Sequence, residues 1–154
     1  MKTFKIAAIP GDGIGSEVIS AGVEVLEALA SREEGLAFTF DEFDWGGDYY
    51  LKHGRMMPED GREQIRNHDA ILFGSAGHPD IPDHITLWGL RLAICQPFDQ
   101  YANVRPTRVL PGITSPLRNV NDGELDWVIV RENSEGEYAG VGGRVHQGSP
   151  LEAA

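Results

Sequence analysis

The sequence predicts an α/β fold built on a mainly parallel sheet, and three observations predict it. Phe4-Lys5-Ile6-Ala7-Ala8-Ile9 is a short apolar run closed by Pro10-Gly11, the pattern of a strand buried on both faces. After a glycine-rich turn, Val18, Ile19, Gly22, Val23, Leu26, Leu29 and Ala30 recur at helical spacing. Asp69-Ala70-Ile71-Leu72-Phe73-Gly74 then repeats the buried-strand pattern behind a second helical stretch. Strand and helix alternate, as they do in α/β chains.

The remaining elements follow in order. Phe38 to Asp44 alternates loosely and reads as a second strand near an edge. Gly46 to Met57 is irregular or partly helical. Pro58 can open a helix at its first turn, with Glu59, Asp60 and Glu63 favourable near the positive helix terminus, and that helix is expected to run to about His68. Ile85 to Cys95 looks helical despite Gly89, and Pro97 follows it. Tyr101 to Pro106 and Trp127 to Val130 are further strands, with loop at Pro111 to Pro116 between them. Beyond Tyr138 come several glycines and no further apolar periodicity, so the chain is expected to stop mid-fold.

Composition narrows the function classes. The 154 residues suffice for one domain with a core or for parts of two. Lys and Arg number 13 against 24 Asp and Glu, a formal charge of −11, which argues against general binding of nucleic acid or anionic membrane. No apolar run reaches membrane-spanning length, and Met1-Lys2-Thr3-Phe4-Lys5 lacks a signal-peptide apolar region. Cys95 is the only cysteine, so no internal disulfide can form and a reducing cytoplasm is the expected compartment. In so acidic a chain, an anionic substrate needs a local cationic pocket, which makes clustered arginines informative.

Two stretches carry candidate chemistry. Gly11-Asp12-Gly13-Ile14-Gly15-Ser16 invites a dinucleotide-binding reading, but Ser16 stands where the fingerprint wants its third glycine. Asp12 would also place a carboxylate where a pyrophosphate belongs, and no Gly-Lys-Ser/Thr follows for a P-loop. A tight turn that starts a helix is the simpler reading. The second stretch is Tyr101 to Tyr138. Arg105 and Arg131 each follow a hydrophobic run and are expected at strand ends, where α/β sheets bind ligands. A guanidinium grips a carboxylate through two parallel hydrogen bonds. Asn103 lies two residues before Arg105, on the same strand face. On spacing alone, surface arginines paired with the many acids remain the favoured reading, and Tyr138 reads first as a packing residue. As a functional group, Tyr138 would be a general acid beside a cation. His53, His68, His78, His84 and His146 lack ligand-like spacing; the loop from His78 to His84 could hold a metal, though solvated loop is preferred. Trp45, Trp88 and Trp127 read as packing residues, and Cys95 as a buried thiol.

Three motifs in sequence resemble the β-decarboxylating dehydrogenases, which include isopropylmalate, isocitrate, D-malate and tartrate dehydrogenases. They are Ile9-Pro10-Gly11-Asp12-Gly13-Ile14-Gly15-Ser16-Glu17, Asp99-Gln100-Tyr101-Ala102-Asn103-Val104-Arg105-Pro106, and Val130-Arg131-Glu132-Asn133-Ser134-Glu135-Gly136-Glu137-Tyr138. Pro82-Asp83-His84-Ile85-Thr86-Leu87-Trp88-Gly89 points towards the tartrate/D-malate branch. The resemblance implies the sheet of that family rather than a Rossmann fold. It implies oxidation of a small dicarboxylic 2-hydroxy acid by NAD, with Mn²⁺ or Mg²⁺ assisting loss of the β-carboxylate, in a homodimer. By position, Arg105 and Arg131 would clamp substrate carboxylate, Asn103 would lie near substrate and nicotinamide, and Tyr138 would protonate the enol. Gly13 and Ile14, in the glycine turn, would only border the cofactor.

Two departures from the family pattern stand out. A further substrate arginine is usual ten positions before the one matching Arg105, and Cys95 occupies that place. Arg91 lies one helical turn earlier and is expected to supply the missing guanidinium. Members of the family are also much longer. The catalytic lysine, the metal-binding aspartates and the adenosine loop are expected in sequence beyond this chain, leaving the 154 residues inactive alone. Residues 1 to 98 would be part of the first, large domain, and 99 to 154 the start of the substrate and dimerisation domain. The alternative is a non-catalytic dinucleotide-binding module or a fragment that associates with another chain.

Overall fold

The computed structural model describes residues 1–118, 120 and 123–154, which divide into two compact units, Met1–Ile94 and Cys95–Ala154. In the first unit, β1 (Lys2–Gly11), β2 (Leu36–Glu42) and β3 (Ala70–Ser75) form a parallel sheet in the order β2-β1-β3. The central strand is the apolar run: Ile6, Ala7, Ala8 and Ile9 are all buried, because helices and loops cover both faces of a parallel sheet. Lys2 pairs with Leu36 and Ala8 with Glu42 on one side, while Ile6 pairs with Ala70 and Ile9 with Phe73 on the other.

Helix α1 (Gly15–Arg32) packs on the sheet through Ile19 and Gly22, whose missing side chain admits Leu72. It starts at Gly15, three residues before the first apolar position of the periodic pattern. Helix α2 (Gly47–His53) is the ordered part of the stretch read as irregular or partly helical. Helix α3 (Gly61–Ile65) is shorter than the predicted Pro58-to-His68 helix. Tight turns end it on both sides, where Gly61 N–H donates to Pro58 O and His68 N–H to Ile65 O. Trp45, Met56 and Ile65 fill the core there. At the edge strand, Asp41 accepts from Lys5 Nζ at 2.7 Å and meets His68 Nε2 at 3.0 Å. The Lys5 ammonium holds its carboxyl below the usual range.

The predicted helix over 85–95 is real but not regular. It comprises α4 (Asp83–Thr86), a π-turn over Leu87–Arg91, and α5 (Leu92–Cys95). Gly89 presses on Met56, where a Cβ would stand 2.7 Å from Met56 Cγ. A widened turn at such a contact is a common site of helix irregularity.

In the second unit, β4 (Ala102–Arg108) and β5 (Asp126–Glu132) pair antiparallel, in a sheet separate from the first. The parallel arrangement therefore holds for the first unit only; these two strands need no crossover helix because one connection returns the chain directly. A 3₁₀ turn follows at Gly136–Tyr138, and Val145 bridges to Ala153. Trp45 is a core residue as expected, at 3% exposure. Trp88 and Trp127 are 39% and 56% exposed, so the packing role read for them is not met within this chain. Cys95 is half-buried.

Candidate functional site

The register of the antiparallel ladder brings the substrate candidates together. Asn103 stands opposite Arg131, Arg105 opposite Ile129, and Thr107 opposite Trp127. Opposed residues of an antiparallel pair project to the same side, and alternate residues along each strand do likewise. One face of the ladder thus carries Asn103, Arg105 and Arg131 and no carboxylate. The strand acids, Asp126 and Glu132, occupy the other face, opposite Arg108 and Ala102. In a chain with a formal charge of −11, this is a local reversal of sign. Arg105 sits mid-strand rather than at a strand end, so its exposure comes from facing out of a two-stranded ladder and not from a strand terminus.

Side-chain contacts orient these groups. Arg105 donates from Nε to Asn103 Oδ1 at 3.1 Å, which turns the two side chains along the strand together. The Arg131 guanidinium carbon lies 5.1 Å from the centre of the Tyr138 ring, within reach of a cation–π contact. Arg131 Nη2 is 3.9 Å from Glu137 Oε1, and its side chain is 34% exposed. That ion pair is loose enough for an incoming carboxylate to compete with it.

The segment from Arg131 to Tyr138 is held by hydrogen bonds at both ends. Glu132 Oε1 accepts from Ser134 N–H at 2.7 Å, Glu135 N–H at 2.8 Å and Ser134 Oγ at 3.1 Å. The Ser134 amide is the main reason its carboxyl sits below the ordinary value. Asn133, 5% exposed, donates from Nδ2 to Gln100 O at 3.1 Å. Gln96 donates from Nε2 to Ser134 O at 3.2 Å and to Tyr138 O at 2.6 Å. Sequence reading missed Gln96 altogether, since nothing distinguishes a lone amide after a helix. The Glu132 anchor had a faint signal in its serine two residues on.

The glycine turn belongs to the first unit and is a different kind of construction. A Cβ on Gly15 would lie 2.0 Å from Pro10 O, and one on Gly11 (φ +70°) 1.9 Å from Ser75 O. These glycines let the start of α1 and the ends of β1 and β3 meet backbone to backbone. Asp12 is buried beside this turn, at 4% exposure. Its carboxylate accepts from Gly47 N–H at 2.5 Å and Gly77 N–H at 2.8 Å, while its own N–H donates to Ser75 O at 2.8 Å. Ser75 Oγ also donates to Asp12 O. Gly13 has open space where a side chain would project, and Ile14 is 67% exposed, so these two candidate cofactor contacts form an accessible tip.

Arg91 closes the π-turn of the first unit and is half-buried, between the fully buried Leu90 and Leu92. The π-turn breaks the regular helical spacing from which its placement was inferred. Among the described residues, no group of three or more His, Cys, Asp or Glu side chains converges as a metal site would require. His78 instead accepts from Asp80 N–H within its own loop.

Residues 5–153 match the family described as isocitrate/isopropylmalate dehydrogenase. The chain belongs to that family. A probable tartrate dehydrogenase/decarboxylase of Agrobacterium vitis is 68% identical over 152 residues, 99% of this chain and 42% of the relative. The decarboxylating D-malate dehydrogenase of Escherichia coli K12 is 51% identical, again over 42% of its own length. Among solved structures, isocitrate dehydrogenase from Methylococcus capsulatus matches 92% of the chain with a TM-score of 0.72 and 30% identity, covering 38% of that protein. A β-decarboxylating dehydrogenase from Thermococcus kodakarensis matches 86% at 34% identity and a TM-score of 0.61, covering 35% of its length. The chain spans about two fifths of the length of the curated relatives it matches. Its fold is that of the isocitrate/isopropylmalate dehydrogenases, in part.

Proposed function

We propose that this chain is the substrate-holding N-terminal part of an NAD- and divalent-metal-dependent oxidoreductase that oxidises tartrate or D-malate and removes the β-carboxylate. The observation that carries the reading is the ladder face whose strand residues include no acid, with Arg131 over the Tyr138 ring and Arg105 tied to Asn103. Arg105 and Arg131 bind the carboxylates of a small diacid, and Arg91 contributes a third guanidinium. Asn103 hydrogen-bonds substrate near the nicotinamide. Tyr138 delivers its phenolic proton to the enol carbon left by decarboxylation, with the Arg131 guanidinium beside the ring to favour the phenolate that remains.

NAD fits at the accessible tip of Gly13 and Ile14, which would border it, and when bound it supplies the hydride acceptor. Among the described residues no group of His, Cys, Asp or Glu gathers as a metal site requires, and the reading assigns Mn²⁺ or Mg²⁺ to none of them. Residues 1–98 then form part of the large domain, and 99–154 open the substrate and dimerisation domain of a cytoplasmic homodimer.

The test is a chimaera in which this chain replaces the matching N-terminal part of the Agrobacterium vitis relative. NADH formation with tartrate or D-malate and Mn²⁺ is expected from the chimaera and not from the 154-residue chain. A chimaera that folds yet turns over neither diacid, or turnover by the chain alone, overturns the corresponding half of the reading. A second reading, association with another chain, draws on the exposed Trp127, Val128, Ile129 and Val130, each 46–68% accessible. Sedimentation of the purified chain separates the two: a stable complex with no dependence on the C-terminal part favours association.

A further inference from the structure

We infer that Gln96 is the positioning residue for Tyr138, an inference that rests on the proposed role of Tyr138 as proton donor. Gln96 is the first residue after α5 and is half-buried. Its amide nitrogen has two hydrogens, and the two acceptors it meets are Ser134 O at 3.2 Å and Tyr138 O at 2.6 Å. Both partners are carbonyl oxygens, so the orientation of the amide is decided by the network: only the nitrogen can face them. The two carbonyls bracket the turn that carries the phenol. Gly136 turns at φ +58°, and Tyr138 N–H donates to Glu135 O at 3.0 Å inside that bracket.

Gln96 and Glu132 divide the work. The Glu132 carboxylate collects N–H groups at the start of the turn, from Ser134 and Glu135. The Gln96 amide collects carbonyls at both ends, from Ser134 and from Tyr138 itself. Without Gln96, the turn keeps its Glu132 anchor but loses the bond to the peptide that carries the phenol. The ring then has a wider choice of positions relative to Arg131, while the guanidiniums stay fixed on their strands. The consequence falls on proton delivery and not on substrate holding.

Gln96→Glu is the informative replacement. It keeps the shape of Gln but turns two acceptor oxygens onto two carbonyls, whereas its protonated form has one O–H to donate. In the 154-residue chain labelled with 3-fluorotyrosine, Tyr138→Phe assigns one of the four tyrosine resonances. Gln96→Glu is expected to shift that resonance from the wild-type position at pH 7 and to return it, at pH 5, towards the position of the wild-type chain at the same pH. The resonances of Tyr49 and Tyr50, in the first unit, are expected to stay in place. In the chimaera, Gln96→Glu and Gln96→Ala are expected to lower kcat by about 10- to 100-fold at neutral pH, with KM for the diacid within about threefold. In a Tyr138→Phe background, the same substitutions are expected to cost less than about twofold, because the two residues act as one unit. A Tyr138 resonance unmoved by Gln96→Glu overturns the inference whatever the kinetics. So does a Gln96 effect that adds in full to Tyr138→Phe, which marks a general structural role. A resonance that moves while Tyr138→Phe turns over normally leaves Gln96 as the clamp and refutes the proton-donor role of Tyr138 instead.

Discussion

Removing the Asp12 carboxylate is the sharpest test of how the first unit is built. Asp12→Ala strips the acceptor from two backbone N–H groups at once, Gly47 at 2.5 Å and Gly77 at 2.8 Å. Gly47 is buried, so its N–H is left without water; Gly77 is exposed and can be resolvated. A hydrogen bond to a charged group contributes about 1.5–3 kcal/mol, and a buried unsatisfied donor costs about 1–3 kcal/mol. One bond is lost in full and one replaced by solvent, so the expected destabilisation is about 3 kcal/mol. Asp12→Asn keeps one carbonyl oxygen, which can serve Gly47, and turns its NH₂ towards the Gly77 donor. About half the loss is expected. Urea unfolding followed by tryptophan fluorescence reads the change, since Trp45 is 3% exposed and adjoins Gly46. With a urea slope of about 2 kcal/mol per molar, the alanine midpoint drops by about 1.5 M and the asparagine midpoint by about half that. A drop below about 0.3 M for alanine, or equal damage from both variants at unchanged slope, refutes the view that this carboxylate is the internal anion of the turn.

Further outcomes follow from the same geometry. Gly15→Ala is expected to cost more than about 3 kcal/mol, because its methyl would stand 2.0 Å from a backbone oxygen that cannot move aside, and the urea midpoint checks it. Arg91→Ala in the chimaera is expected to raise KM for tartrate at least tenfold, and an unchanged KM removes Arg91 from the substrate site. Glu132 has its carboxyl held below the value of 4.5 it has when unfolded, so its contribution is present above that pH and lost as pH falls through the lower, folded value. The 3-fluorotyrosine signal of Tyr138 is therefore expected to change on acidification below pH 4.5. Glu132→Gln is expected to remove that acid step.

The sequence carried the first unit well because its signals are local and redundant. The Phe4-to-Ile9 run, the helical repeat after Gly15 and the Ala70-to-Gly74 run each name their element through local pattern, although β3 is a half-buried edge strand where the sequence predicted a buried one. The misreadings share a cause. Helix α3 stops at Ile65, where His68 N–H turns back onto Ile65 O, and the π-turn over Leu87–Arg91 lies where Gly89 meets Met56. Periodicity has no access to those. Arg105 was expected at a strand end because an apolar run that meets a charge looks like an end. In an exposed ladder, a charge in mid-strand carries no such penalty.

The two anion-handling devices in this chain show why clustered motif residues gave unequal guidance. The glycine turn advertises anion binding through its glycines, yet the anion found there is Asp12, a carboxylate the chain supplies itself and that takes the N–H groups of Gly47 and Gly77. The ladder advertises little: an arginine on each strand, 26 residues apart in sequence. What brings them to one face is the register that sets Asn103 against Arg131, and the same register sends Asp126 and Glu132 to the other side. Shifting β5 by one residue would carry Arg131 to the other side and set Asp126 and Glu132 on the face of Arg105. The charge of the candidate site is therefore a property of strand pairing. A substitution that slips the register, even one distant from every arginine, would abolish it as completely as removing Arg131.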